Sequence, residues 1–248
     1  MVAAGRRGYS PAMASLLRRI QRLFGGGEAD HGAPITLRPR DCHCHVIPGV
    51  DDGSRDLAES RAMLELLIAA GATRVIATPH IFPGRFPNEP ELLRPRYDEL
   101  RAAVADLPVE LELGAEHYLD ETLHARVLAD RLLAFGPERY VLFECLPSGP
   151  VPVDLMRVVH ALAARGYTPL LAHVERYPWL RGPEREEVAA DLRSAGARFQ
   201  VNRTVGEVNQ PGRGARGETL AWLQQRGWID EVGSDLHRAT PEGRPYAN

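Results

Sequence analysis

The 248-residue sequence contains no lysine; all 30 of its basic side chains are arginine, which we read as codon usage in a GC-rich genome and not as mechanism. It has only three cysteines, two of them at the alternate positions Cys42 and Cys44. A sparse, odd-numbered set of this kind makes no disulfide framework and fits a reducing cytoplasm. No apolar run approaches the ~18 residues of a membrane span, and no signal peptide with a cleavage site is visible. A net charge of −3 is too small to argue for a nucleic-acid partner. The body holds neither tandem repeats nor low-complexity segments. What is there, 44% apolar and 25% charged residues, is ordinary for a soluble globular chain. The length suits one α/β domain with a full core.

Charge is unevenly spread. Seven arginines against Glu28 and Asp30 put residues 1–40 at +5, so the rest of the chain carries −8. Within this segment Leu16, Leu17, Ile20, Leu23 and Phe24 share one helical face over residues 13–24, with arginines opposite and three glycines following. Residues 1–34 are therefore expected to form a basic tail with a short amphipathic helix. It is either a mobile appendage or a surface that lies on an anionic membrane. Met13 is an alternative start, which would place the first twelve residues outside the native chain.

From residue 35 onward, strand-like and helix-like stretches alternate. Strands are expected at 36–45, 74–78, 109–114, 140–145, 168–173, 198–202 and 231–234. Helices are expected between them at 57–70, 90–105, 121–128, 153–165, 183–195 and 217–226. Gly71 stands where the first of these helices needs a C-cap. Repeating strand–helix units predict a parallel sheet covered by helices, and seven strands suggest a closed or nearly closed barrel over residues 35–248.

The side chains with chemistry gather where strands end. The first strand runs into Asp41-Cys42-His43-Cys44-His45, and residues two apart in a strand share a face. Both imidazoles project together, the thiols away from them, and Asp52 swings back over the same strand end. The second strand ends at His80, the third runs into Glu116, the fourth ends at Glu144, the fifth at His173, and the seventh at Asp235 and His237. In a barrel, active sites are built on that C-terminal rim. Nine candidate ligands without a thiolate set are too many for one ion and suit two or three Mn, Fe or Zn ions bridged by a carboxylate. Such a cluster activates water and clamps both oxygens of a displacement. Cys42, Cys44 and Cys145 are read as packing residues. Arg85, Arg176 and Arg244 follow His80, His173 and His237 in the chain. A guanidinium fork matches phosphate geometry, which favours phosphate-ester over amide hydrolysis.

The motifs Asp41-x-His-x-His45, Pro48-Gly-Val-Asp-Asp-Gly53, Ala77-Thr-Pro-His80, Gly114-Ala-Glu116, Tyr140-Val-Leu-Phe-Glu144, Ala172-His-Val-Glu-Arg176, Gln200-Val-Asn202, Ser234-Asp-x-His237 and Gly243-Arg-Pro245 occur in that order. Over residues 36–246 the sequence thereby resembles the PHP (polymerase and histidinol phosphatase) superfamily, specifically its bacterial protein-tyrosine phosphatases of the CpsB/YwqE type. The resemblance implies a distorted seven-stranded TIM-like (β/α)7 barrel and a trinuclear, manganese-type centre. It implies a metal-activated hydroxide that dephosphorylates a bacterial tyrosine kinase controlling capsule or exopolysaccharide export. The enzyme would work in the cytoplasm, membrane-associated through that kinase. Carried over by position, His43, His45, Glu116 and Asp235 would hold one metal. Glu116, Glu144 and His173 would hold a second, and Asp52, His80 and His237 a third. Arg176 and Arg244 would grip the phosphate and Arg85 would line the mouth.

Relatives of this type continue past the Arg-Pro step with a further helix, whereas this sequence stops at Asn248. The C-terminal helix is thus expected to be missing, through truncation or because a homo-oligomeric partner closes the edge. Residues 206–216 are also unusually rich in glycine and arginine. Two other readings stay open: a phosphoesterase for a small phosphomonoester such as histidinol phosphate, and a truncated, non-catalytic module that binds the kinase. The Gly84-Arg85-Phe86 loop favours a protein substrate over a small one.

Overall fold

The computed structural model describes residues 39–203 and 214–239, all of them within the second of two compact units, Ile35–Asn248. The helix expected over 13–24, residues 206–213 of the glycine- and arginine-rich stretch, and Arg244 lie outside the described residues. The described strands are β1 (Arg40–Cys44), β2 (Arg74–Ala77), β3 (His80–Ile81), β4 (Glu110–Leu113), β5 (Glu116–Tyr118), β6 (Tyr140–Glu144), β7 (Thr168–Leu171), β8 (Arg198–Asn202) and β9 (Glu231–Gly233). The α-helices are α1 (Leu57–Ala70), α2 (Pro90–Ala103), α3 (Leu123–Leu128), α4 (Leu155–Ala164), α5 (Arg185–Ser194) and α6 (Gly214–Arg226).

Every strand pairing is parallel. The expected second and third strands form β2 and β4, and each is followed after a two-residue break by a short strand that was not expected, β3 and β5, giving hydrogen-bonded sets β1–β2–β4 and β3–β5–β6–β7–β8–β9. Thr78-Pro79 separates β2 from β3, and Pro79 has no N–H to give to a ladder. Gly114-Ala115 separates β4 from β5. There a Cβ on Gly114 would lie 2.7 Å from Phe135 Cδ1, so the close approach needs glycine. The sheet curls until its ends approach: Asp235 N donates to His43 O at 2.7 Å and His45 N to Leu236 O at 2.9 Å.

Local chemistry sets the elements. In α1, Asp56 accepts from Glu59 N at 2.8 Å while the Glu59 carboxylate accepts from Arg55 N at 2.9 Å, a reciprocal cap. The helix stops at Gly71 with φ of +100°, as the sequence predicts. Its Met63, Leu64 and Leu67 are fully buried. The main core lies between β6–β8 and the helices behind them, joining Val141, Phe143, Leu171 and Phe199 to Val158, Val159, Leu162, Leu192 and Leu223. Each such side chain contributes about 1.5–3 kcal/mol of transfer free energy. Cys42 packs with Ile76, Leu142 and Leu170, and burial pushes its thiol well above the ordinary value.

The seam between β1 and β9 depends on a carboxylate. Asp41, fully buried, accepts from Ser234 N at 2.8 Å, Ser234 Oγ at 2.6 Å and His43 N at 3.1 Å. Burial pushes its pKa up to about 6 against those bonds. Beside it, a Cβ on Gly233 would sit 2.4 Å from His43 Cβ, so the two strands meet without a side chain between them. Asp41→Ala leaves these donors without an acceptor and is expected to cost about 2 kcal/mol. Urea unfolding measures this as a lowered midpoint; an unchanged midpoint removes Asp41 from the seam.

Candidate metal centre

Consecutive strand ends aim imidazoles and carboxylates at one point. Glu116 opens β5 with 1% exposure. Its Oε2 is 3.1 Å from His43 Nε2 at the end of β1, 3.4 Å from His45 Nε2 and 3.1 Å from His80 Nδ1. Its Oε1 is 3.0 Å from His173 Nε2. Glu144, closing β6, lies 3.4 Å from His80 Nδ1 and 3.5 Å from His173 Nε2. Asp235 Oδ1 is 3.4 Å from the Nε2 atoms of both His43 and His45 and 3.4 Å from His237 Nδ1. Asp52 Oδ1 lies 3.5 Å from His80 Nε2 and 3.4 Å from His237 Nε2. All nine residues expected from the sequence are thus brought together. Arg176 joins them through Nη2, 2.6 Å from Asp235 Oδ2. Arg85, 64% exposed, reaches Asp52 Oδ2 at 3.2 Å from the edge.

The donor set suits cations. His43 Nε2 and His45 Nε2 face each other at 3.3 Å with carboxylate oxygens on either side. Asp52 Oδ1 and His80 Nδ1 are buried without a hydrogen-bond partner among the described residues. Three groups have ligand atoms within 4.8 Å of one another: His45, Asp52, His80 and His237; His43, His45 and Asp235; His80, Glu116 and Glu144. Among the described residues no thiol joins them, so imidazole nitrogen and carboxylate oxygen define the chemistry.

Some supporting residues stood in the quoted motifs but were given no role from the sequence. Asp51, the neighbour of Asp52, accepts from His80 N at 3.0 Å and pairs with His45 Nδ1 at 2.8 Å. The sixth strand, β8, delivers no candidate ligand; it delivers the holders. Gln200 Oε1 lies 3.2 Å from His43 Nδ1 and accepts from His173 N at 2.8 Å. Asn202 Nδ2 donates to Asp235 Oδ2 at 2.8 Å. The i, i+2 spacing of two amide side chains was the available signal. His173 and Asp235 both adopt left-handed backbone, φ of +32° and +53°. Such strain at non-glycine residues costs of order 1–3 kcal/mol, and surrounding bonds must hold it in place.

Buried charge here is balanced within the cluster. Burial opposes ionisation of Glu116, yet His43, His80 and His173 hold its carboxyl well below the usual range. Asp235 is likewise held down, against burial, by His43, His45 and Arg176. Burial also disfavours charged imidazoles, but Asp51, Asp235 and Glu116 together push His45 well above its ordinary value. Glu116 and Glu144 push His173 up to about 10 in the same way. Without cations, then, protons on His45 and His173 offset part of the carboxylate charge. Metal ions must displace them, so acidification strengthens the proton's hold and weakens the metal's. Manganese titrated calorimetrically at pH 7 in buffers of different ionisation enthalpy is expected to show proton release, with affinity falling towards pH 5. Heats independent of buffer contradict this balance.

The family model described as "Capsular polysaccharide synthesis, CpsB/CapC" matches residues 40–246. Tyrosine-protein phosphatase YwqE of Bacillus subtilis is 32% identical over 163 residues, covering 65% of this chain and 63% of YwqE. Tyrosine-protein phosphatase CpsB of Streptococcus pneumoniae is 26% identical over 168 residues, covering 65% of this chain and 66% of CpsB. The chain therefore spans about two thirds, or slightly less, of the length of these curated relatives. A solved structure from the pair YwqE of Bacillus subtilis and CpsB of Streptococcus pneumoniae, described as "unique metal-dependent tyrosine phosphatases", superposes with a TM-score of 0.70 at 30% identity, covering 81% of this chain and 80% of that one. With its curled parallel sheet, its cluster of imidazoles and carboxylates and a match over residues 40–246, the chain belongs to the CpsB/CapC capsular polysaccharide synthesis family.

Proposed function

We propose that the chain is a metal-dependent tyrosine phosphatase that removes phosphate from a bacterial tyrosine kinase, in the regulation of capsule or exopolysaccharide. The observation that carries this is the convergence of overlapping ligand groups around Glu116, with the Arg176 guanidinium at their edge. The names of the relatives and of the family support the substrate and the setting. Three ions are the reading: His43, His45, Glu116 and Asp235 would hold one, Glu116, Glu144 and His173 a second, and Asp52, His80 and His237 a third. By mutual proximity, though, His80 and not His173 groups with Glu116 and Glu144. Hard oxygen with imidazole nitrogen suits manganese, with iron and zinc as the other candidates. The bonds joining β1 to residues 235–236 support a (β/α)7 barrel in which each broken strand counts once. Residues 1–34 are read as a separate basic tail, and the cytoplasm as the place of action.

Bound divalent ions supply Lewis-acid activation of water and of a phosphoryl oxygen. The chain's own residues do the positioning. Asp235 and Asn202 fix one edge of Arg176, since Asp235 Oδ2 accepts from Arg176 Nη2 at 2.6 Å and from Asn202 Nδ2 at 2.8 Å. The rest of that planar fork suits phosphoryl oxygens. Arg181 Nη2 clamps the same turn by donating to Glu175 O at 2.8 Å and Arg176 O at 3.1 Å. Arg85 adds positive charge at the edge of the site, over Asp52. A tyrosine phenolate, with a pKa near 10, leaves with little need of a proton donor.

Turnover of a phosphotyrosine peptide is expected with added manganese and is expected to vanish with chelator. His43→Ala and Glu116→Ala should each reduce kcat/KM roughly a thousandfold, several kcal/mol of transition-state stabilisation, with circular dichroism little changed. Retained turnover in either variant contradicts the ligand assignment. Arg176→Ala should act chiefly through weaker phosphate recognition, and an unchanged kcat/KM removes it from the site. A folded, metal-loaded protein inactive on the peptide contradicts the phosphotyrosine reading.

A further inference from the structure

The register between β3 and β5 orders what stands above the metal-ligand layer. His80 pairs with Glu116 and Ile81 with His117. Alternation sends Ile81 into the apolar cluster with Leu93, Ala115 and Leu133, while His80 and Glu116 face the centre. The next positions on the centre's side are Phe82 and Tyr118. Tyr118 is the register partner of Glu144 on β6, which also faces the centre. The two rings stack, with centroids 3.9 Å apart and planes at 12°. They lie one step, about 6.6 Å of strand rise, nearer the C-terminal edge than His80 and Glu116, and level in register with Glu144. That is of the order of the reach from phosphorus to ring in an aryl phosphate.

The layer is held from beneath. Phe82 N donates to Phe86 O at 2.9 Å and Phe86 N to Phe82 O at 2.6 Å, closing a tight loop. Phe86 stacks on the His80 imidazole with centroids 5.3 Å apart and planes at 9°. Asn88 Nδ2 ties the loop to the centre by donating to His80 O at 2.8 Å and Val50 O at 2.9 Å. Phe82 and Tyr118 are both half-buried, and neither packs into the apolar clusters of the described residues. A ring pair serving only as a staple between strands would be expected to sit under a core. This one is half-buried, which leaves ring surface on which an incoming ring can stack.

We propose that Phe82 and Tyr118 form an aromatic layer beyond His80 and Glu116, beside Glu144, that receives the substrate's ring and selects aryl over alkyl phosphomonoesters. The inference rests on the phosphatase reading for its substrate but is tested by binding. Kd values for phenylphosphonate and methylphosphonate, neither of them hydrolysable, are measured calorimetrically on the manganese-loaded full chain. The wild type should bind phenylphosphonate about tenfold more tightly. Phe82→Ala and Tyr118→Ala should erase that preference while leaving methylphosphonate within about twofold. Tyr118→Phe should keep it, because the ring and not the hydroxyl is used. Equal affinity for the two phosphonates in the wild type, no binding of either, or equal weakening of both in the alanine variants overturns the layer. A phenyl preference in a protein that hydrolyses no phenyl phosphate upholds the layer and removes the phosphatase reading. Equal turnover of phenyl and alkyl phosphates does the reverse.

Discussion

The centre depends on one buried carboxylate. Glu116 has an oxygen within 3.4 Å of each of His43, His45, His80 and His173. An ionised carboxylate removed from water costs several kcal/mol unless positive charge surrounds it. Four imidazoles from three strand ends are the surroundings the chain provides, and they explain why those strands stop where they do. The breaks in the ladder serve the same end. β4 halts at Leu113 and β5 restarts at Glu116, on either side of the glycine that Phe135 presses against. Likewise β2 halts at Ala77 and β3 restarts at His80, across a proline. Each restart begins with a candidate ligand.

A layer of neutral and acidic side chains holds the imidazoles in orientation. Metal-binding histidines usually give their second nitrogen to such a partner, which fixes tautomer and rotation. His45 has Asp51 and His43 has Gln200. The left-handed residues are pinned by their amides: His173 N on Gln200 and Asp235 N on His43 O. Gln200 thus holds the His43 imidazole and the His173 backbone amide from one position on β8. That strand delivers no candidate ligand and yet sets the geometry of two.

Strand order and the set of candidate ligands that cluster were legible in the sequence because both follow short-range rules. The period of two placed His43 with His45, and the strand-end pattern found Glu116, Glu144 and His173 without any knowledge of pairing. The strand breaks were not legible, since Gly114 is required by Phe135, twenty-one residues away in sequence. Nor was the supporting role of Asp51, which pairs with His45 Nδ1 and accepts from His80 N beside the expected ligand Asp52. A Cβ at Gly53 would meet His45 O at 2.2 Å, so the turn there folds tightly onto the ligand strand. Cys42 was correctly read as packing, because a fully buried thiol among Ile76, Leu142 and Leu170 behaves as a small apolar group. The stack of Phe82 on Tyr118 was invisible, as it depends on the register of two strands that the sequence shows only as neighbours in order.

Charge dictates the sequence of events at such a site. A phosphate monoester arrives as a dianion, and Asp52, Glu116, Glu144 and Asp235 repel it. Arg176 offsets little of that field, because one edge of its guanidinium is already on Asp235. Protons held on His45 and His173 offset only part of the charge of these carboxylates and leave no surplus for a ligand. Only added cations reverse the sign of the field, so they must bind before the phosphate does. The aromatic residues above the centre carry no charge and cannot substitute for them. Their contribution is separable: cations and arginine determine whether a phosphate binds, and the rings determine which phosphate.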